Sequence, residues 1–185
     1  MKVRFIDYLD SLKNTSYDKT NNAYMVNNIH QVINFDQFQE AYFSQYKKPV
    51  TCSIDALKQH NREWFFIEFK NGKIDNKTKK NISEKVGHSL FSFLDVLNEK
   101  IDYCRKKVNF IFVYNKENNS QSGHRLSCDD YQLSIERQKL KSLLLGVKKY
   151  IPLFQMGRYE DVYFKNVYTY DQEQFEKFVN ENFDD

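Results

Sequence analysis

Hydrophobic and polar positions divide this chain into short, distinct segments. From Glu63 to Lys70 the sequence reads EWFFIEFK. Trp64, Phe65, Phe66 and Ile67 run together, and Phe69 follows after one interruption. That pattern predicts a strand covered on both faces and ended by Asn71-Gly72. VTCSIDAL at 50–57 is rich in β-branched residues, and KQHNR at 58–62 reads as a polar turn. The two runs therefore predict an antiparallel hairpin. VNFIFVYN at 108–115 predicts another buried strand, and DVYFKNVY at 161–168 a further one.

Helical periodicity marks the segments between. Ile82, Val86, Leu90, Phe93, Leu94 and Leu97 form an apolar stripe that predicts a helix over 79–99. Asp36 to Tyr46 reads as a helix, with Phe38, Tyr42 and Tyr46 near helical spacing, Asp36 able to cap it and Pro49 ending the segment. A helix is predicted over 129–150, with Leu140, Leu143, Leu144 and Val147 inside. Thr169 and Gln172 have capping-box spacing before a final helix carrying Phe175, Phe178 and Val179. Residues 116–128 read as a polar loop. Residues 1–28 are polar and rich in Asn and Tyr, with a short helix around Val3–Leu12 their main feature. The order is helix, strand, strand, helix, strand, helix, strand, helix. It predicts an α/β fold with a mixed central β-sheet flanked by helices.

The length of 185 residues suits one domain around one core, and 16 Phe and 13 Tyr supply the apolar surface to build it. Only 5 Gly and 2 Pro are present, and neither GxGxxG nor GxxxxGK[ST] occurs, which argues against phosphate-cradling loops. Cys52, Cys104 and Cys128 are too far apart for a zinc pair, and a reducing, cytoplasmic compartment is expected. The N-terminal segment carries acids where a secretory signal needs an apolar core, and no run is long enough to span a membrane, so no membrane partner is expected. Net charge is +3. Lys70, Lys73, Lys77, Lys79, Lys80 and Lys85 cluster against only Asp75 and Glu84, which suits a phosphate backbone or, more plainly, a solvated face.

Against this background Glu68 and Lys70 stand out. They interrupt and end the most apolar strand in the chain. Residues two apart on a strand share a face, so both project from one side, about 7 Å apart. Charged groups there need a pair, a metal or a cleft. Asp55 ends the preceding strand. Pairing about the 58–62 turn puts it opposite a position near Phe65 or Phe66, in the neighbourhood of Glu68. Two carboxylates and a backbone carbonyl make a magnesium site, and a lysine beside it can orient water or neutralise phosphate. The plain alternative is an edge-strand ion pair without chemistry.

SID at 53–55 followed by IEFK at 67–70 resembles the PD-(D/E)xK, or restriction-endonuclease-like, nuclease superfamily, with Ile54 in place of the nominal proline. The resemblance covers a core from about residue 36 to residue 114. It implies that Asp55 and Glu68, with the Phe69 carbonyl, bind Mg2+ or Mn2+ and that Lys70 assists water. It also implies an acid on the preceding helix, for which Glu40 is the first match and Asp36 the second. On helix 79–99, Lys80, Glu84, Lys85 and His88 are candidates. The implied activity is metal-dependent phosphodiester hydrolysis of DNA, by a protein of a kind that often works as a homodimer. Two rivals are an inactive binding or immunity-type protein on the same fold, and an RNA nuclease.

Overall fold

The computed structural model describes residues 3–120 and 152–183. The helix expected over 129–150 lies outside the described residues. A 3-10 turn at Phe5–Tyr8 leads into β1 (Leu9–Ser11) and α1 (Leu12–Thr15). A small hairpin of β2 (Tyr17–Asp18) and β3 (Ala23–Tyr24) precedes β4 (Gln31–Asn34) and α2 (Phe35–Gln45). Next come β5 (Ala56–His60), β6 (Glu63–Lys70), α3 (Asn76–Leu97), α4 (Ile101–Lys107), β7 (Val108–Tyr114) and α5 (Lys116–Ser120). A 3-10 turn at Met156–Tyr159, β8 (Asn166–Asp171) and α6 (Gln172–Asn182) follow.

Six strands form one mixed sheet in the order β1-β4-β5-β6-β7-β8. The first three pairings are antiparallel, and β6–β7 and β7–β8 are parallel. The expected α/β class, with helices flanking a mixed sheet, is the observed one. Alternate residues of each strand feed two cores. Leu57, Trp64, Phe66, Val108, Phe110 and Phe112 pack with α2 and α3 on one face. Ala56, Ile67, Phe69, Ile111 and Val113 pack with α6 and the N-terminal segment on the other. Both faces of β6 and β7 are thus covered, which is why their apolar residues do not alternate with polar ones.

Several boundaries depart from the sequence pattern: β8 is Asn166–Asp171 where a strand is expected at 161–168, and α5 opens the stretch expected as a polar loop over 116–128. The strand expected at 50–57 begins only at Ala56 and runs on through Lys58 to His60, leaving a two-residue turn at Asn61-Arg62. Both turn residues have positive φ (49° and 64°), the geometry that matches the twist of a tight hairpin. The capping box lies two residues past the predicted one: Asp171 caps α6, and Gln174 returns the bond. Finally, Asn34 and not Asp36 caps α2, accepting from the Gln37 N–H at 3.1 Å. In place of the short helix expected around Val3–Leu12 stand the 3-10 turn at Phe5–Tyr8 and β1, and β1 and β4 extend the sheet without a strand pattern in the sequence.

Candidate active site

The hairpin register decides where the two strand carboxylates meet. Ala56 pairs with Ile67, so Asp55 lies one step further on, directly opposite Glu68. Asp55 shares the parity of Leu57, and Glu68 that of Phe66. Both therefore face α3. The expected position opposite Phe65 or Phe66 was off because the turn is shorter than KQHNR.

Residues 51–55 form no ladder, and groups from α2 and α3 hold each of them. Gln39 donates to Thr51 Oγ1 at 3.1 Å, and His88 Nδ1 lies 3.3 Å from Cys52 Sγ. Ser53 Oγ donates to Asp36 at 2.5 Å, and the Ile54 N–H donates to Ser89 Oγ at 2.9 Å. The Asp55 carbonyl accepts from the Phe35 N–H at 3.1 Å. This fastening delivers the Asp55 side chain to the end of β6. There its Oδ2 accepts from the Phe69 N–H at 2.6 Å.

Lys85 completes the cluster. It stands on α3 between Ile82 and Ser89, on the inward stripe. Its Nζ donates to Asp55 Oδ1 at 3.1 Å and to Glu68 Oε1 and Oε2 at 2.7 and 3.0 Å. Glu68 is almost wholly buried, its side chain 3% exposed, with Asp55 at 15% and Lys85 at 19%. Asp36 adds a third carboxylate within electrostatic reach. One ammonium thus serves three acids.

The proton affinities follow from that imbalance. Burial pushes the Glu68 carboxyl well up, and Asp55 adds to the rise. Lys85 opposes it without cancelling it. Burial alone would lower the Lys85 ammonium, but Asp55 and Glu68 outweigh burial and hold it above the ordinary lysine value. The two shifts pull opposite ways for a simple ion pair. They agree once the cluster is counted whole: Lys85 keeps its charge, and the excess acid is relieved by a proton, most readily on the most buried carboxyl. Asp36 is exposed as a residue, but its carboxyl end is crowded, and burial followed by Asp55 raises it too.

No family model matches the chain, and no curated protein or solved structure matches it. The local chemistry therefore has to carry the functional reading.

The other expected residues fall as follows. Phe69 points its ring to the opposite core against Phe175. Its N–H engages Asp55, and a strand residue's N–H and C=O face the same neighbour, so its carbonyl also serves the β5 side. Lys70 ends β6 half-buried beside Gly72, and its side chain has no ion-pair or hydrogen-bond partner among the described residues. Asp36 is the helix acid brought to the cluster. Glu40, one turn on, is exposed and lines the same cleft. Of the lysine run, Lys73, Lys77 and Lys80 are exposed, and Lys85 alone turns into the cluster. Its signal was in the sequence: Lys85, Ser89 and Ser92 make a polar file down an otherwise apolar stripe. His88 faces Cys52, whose thiol burial pushes up, so no thiolate nucleophile is prepared there.

Two adjoining clefts, of about 790 and 420 Å³, share Asp36 and Asp55 in their walls. Lys70 lines the second. Among the described residues no group of three or more His, Cys, Asp or Glu side chains has metal-holding geometry, and no helix is long and apolar enough to cross a membrane.

Proposed function

We propose that the chain is a metal-dependent phosphodiesterase that hydrolyses DNA, on a restriction-endonuclease-like core. The observation that carries the reading is the pair Asp55 and Glu68, opposed on neighbouring strands, Asp55 in the cleft wall and Glu68 buried beside it, converging on a single cation. Their oxygens suit a hard divalent ion. The convergence on Lys85 Nζ supports the fit, because the donor set already gathers round positive charge.

Asp55, Glu68 and the Phe69 carbonyl would hold Mg2+ or Mn2+. The ion, when bound, lowers the pKa of a water and offsets charge on the phosphoryl group. The chain supplies the rest. Lys70, whose side chain has no ion-pair or hydrogen-bond partner among the described residues, is available to orient the attacking water or hold the phosphate. Lys85 has to release the carboxylates to admit the ion, and Asp36 remains beside the site as a further acid.

One observation favours a second reading. Lys85 already bridges both carboxylates, as a purely structural ion cluster would. An inactive binding protein that keeps the fold would look this way.

The test is cleavage of labelled single- and double-stranded DNA and of RNA, with Mg2+, Mn2+ or chelator. The expected result is divalent-dependent cutting of DNA that is lost in Asp55→Asn and Glu68→Gln. Failure of the parent to cut any substrate under any ion would sink the enzyme and leave the binding protein.

A further inference from the structure

The hairpin β2–β3 overhangs the same clefts, and the proposed reaction makes no use of it. Tyr17 and Tyr24 are direct cross-strand partners, so their rings lie on one face of this ribbon. The rings stand 4.9 Å apart between centroids and are 37% and 49% exposed as residues. Tyr17 lines both clefts with Asp36 and Asp55, and Tyr24 lines the larger. Two large aromatic side chains are thus left open to water a short way from the carboxylate pair.

The mount is firm. Leu12, Met25 and Val26 are buried in the second core on either side of the hairpin. Ser16 Oγ accepts from the Val26 N–H at 3.3 Å. At the tip Asp18 accepts from the Thr20 N–H at 2.8 Å and from Asn21 Nδ2 at 2.6 Å, and an Asn71 side-chain bond ties it to the end of β6. Lys13 Nζ sits 5.0 Å from the centre of the Tyr24 ring, and Lys19 shares both cleft walls.

We propose that this hairpin is a stacking platform for unpaired nucleobases, so that the site prefers single-stranded DNA. The inference rests on the phosphodiesterase reading for the identity of the ligand and adds the substrate class. Every base has a π-face, so stacking on Tyr is tolerant of sequence. A duplex keeps its base faces covered and offers such a platform little. Charge points the same way. The cleft floor is acidic through Asp10, Asp36, Glu40 and Asp55, which disfavours phosphate except near a bound cation. The tyrosine end, with Lys13 and Lys19, can hold the strand by its bases while one phosphate reaches the carboxylates.

The experiment compares a labelled single-stranded oligonucleotide with its duplex and with a strand of equal length and charge whose central positions are abasic. Binding is read by fluorescence anisotropy in Ca2+, and cutting is measured separately in Mn2+. The parent should bind the natural strand at least about fivefold more tightly, the low end of stacking on one base. Tyr17→Ala with Tyr24→Ala should remove that preference, and Tyr→Phe at both positions should keep it. A merely structural role for the rings would weaken both oligonucleotides together. If the alanine protein does not fold, the parent's comparison and the Phe variant still decide. Equal binding of natural and abasic strands by the parent, no binding of either, or tighter binding of duplex overturns the platform. A parent that discriminates but never cuts keeps the platform and sinks the phosphodiesterase. A parent that cuts without discriminating does the opposite.

Discussion

Strand β6 carries a glutamate near each end, and the two are treated in opposite ways. Glu63 opens the strand. Burial pushes its carboxyl up, but Lys165 and Asn109 outweigh burial and leave it below its ordinary value. Lys165 Nζ contacts one oxygen, Asn109 Nδ2 donates to the other at 2.8 Å, and Asn166 supports Asn109 at 2.7 Å. One acid meets one cation and one amide at a half-exposed rim. Glu68, five residues on, is buried and shares one ammonium with Asp55, with Asp36 in electrostatic reach, and its carboxyl is driven up. Both ends have a lysine within bonding range, so an ion pair alone does not mark a site. The Glu68 end is marked by surplus like charge, held in place by a whole segment fastened to two helices. Surplus like charge of this kind costs stability, and it is what the proposed cation site would need.

The largest effect should come from cutting each end's lysine. Lys85→Met leaves two buried carboxylates without their counter-ion and should cost about 3–5 kcal/mol of metal-free stability. Lys165→Met removes a partner at a wet rim, with a Lys165 side chain 41% exposed, and should cost at most about 1 kcal/mol. Chemical denaturation in chelator measures both. Excess Mn2+ should then stabilise Lys85→Met more than the parent, because the ion no longer competes with the ammonium. Equal losses in the two variants, or a Lys85→Met protein indifferent to Mn2+, would break the contrast.

A smaller effect should appear with pH. The folded Glu68 carboxyl is pushed up to about 8 from an ordinary value of 4.5. Between those values the folded state keeps a proton that the unfolded chain has lost. The folded state therefore binds more protons, and stability falls as pH rises through that window. Metal-free melting temperature should drop between about pH 5 and pH 8. Glu68→Gln, which cannot ionise, should flatten the curve and match or exceed the parent at the upper end. Mn2+ should also reduce the drop in the parent, but should not stabilise Glu68→Gln to the same degree. Glu63→Gln provides the control and should leave the fall in place. A parent whose stability is level across this range would refute the surplus-charge account.

Much of the scaffold could be read from the sequence, because the strands at its centre are buried on both faces. The uninterrupted run from Trp64 to Ile67 and the 3.6-residue stripe on α3 follow directly from burial. Glu68 and Asp55 were legible for the same reason, as charges placed where charge is costly. Three features escaped. Positive φ at Asn61-Arg62 is a tertiary choice that ordinary turn residues do not announce, and it shifted the register. The strands of the N-terminal segment, β1 and β4, are short and lie near an edge, where polar residues are tolerated. Lys85 is one of four candidates on its helix but also belongs to the lysine run, so it is not singled out. Only its helical phase, shared with Ser89 and Ser92, separates it from Lys80 and Lys77.

The smallest effect on stability, and a large one on chemistry, belongs to the third lysine. Lys70 shares the face of Glu68 at the end of β6, yet its side chain has no ion-pair or hydrogen-bond partner among the described residues and is only half-buried. Among the described residues Lys70→Ala removes no side-chain bond, so it should change stability by no more than about 0.5 kcal/mol. Its proposed role toward water or phosphate rather than the ion also predicts an unchanged gain in melting temperature with Mn2+. Cutting of DNA should nevertheless be lost, because a lysine without a structural duty on the site's own face is placed for water or phosphate. Lys85→Met offers the opposite pattern: a large loss of stability and an enhanced response to the ion. Measuring melts with and without Mn2+ beside cleavage for both variants therefore separates a lysine that holds the site from one that acts in it. A Lys70→Ala protein that cuts DNA at the parent's rate would remove Lys70 from the reaction, and a loss of several kcal/mol would show that its side chain has a structural task.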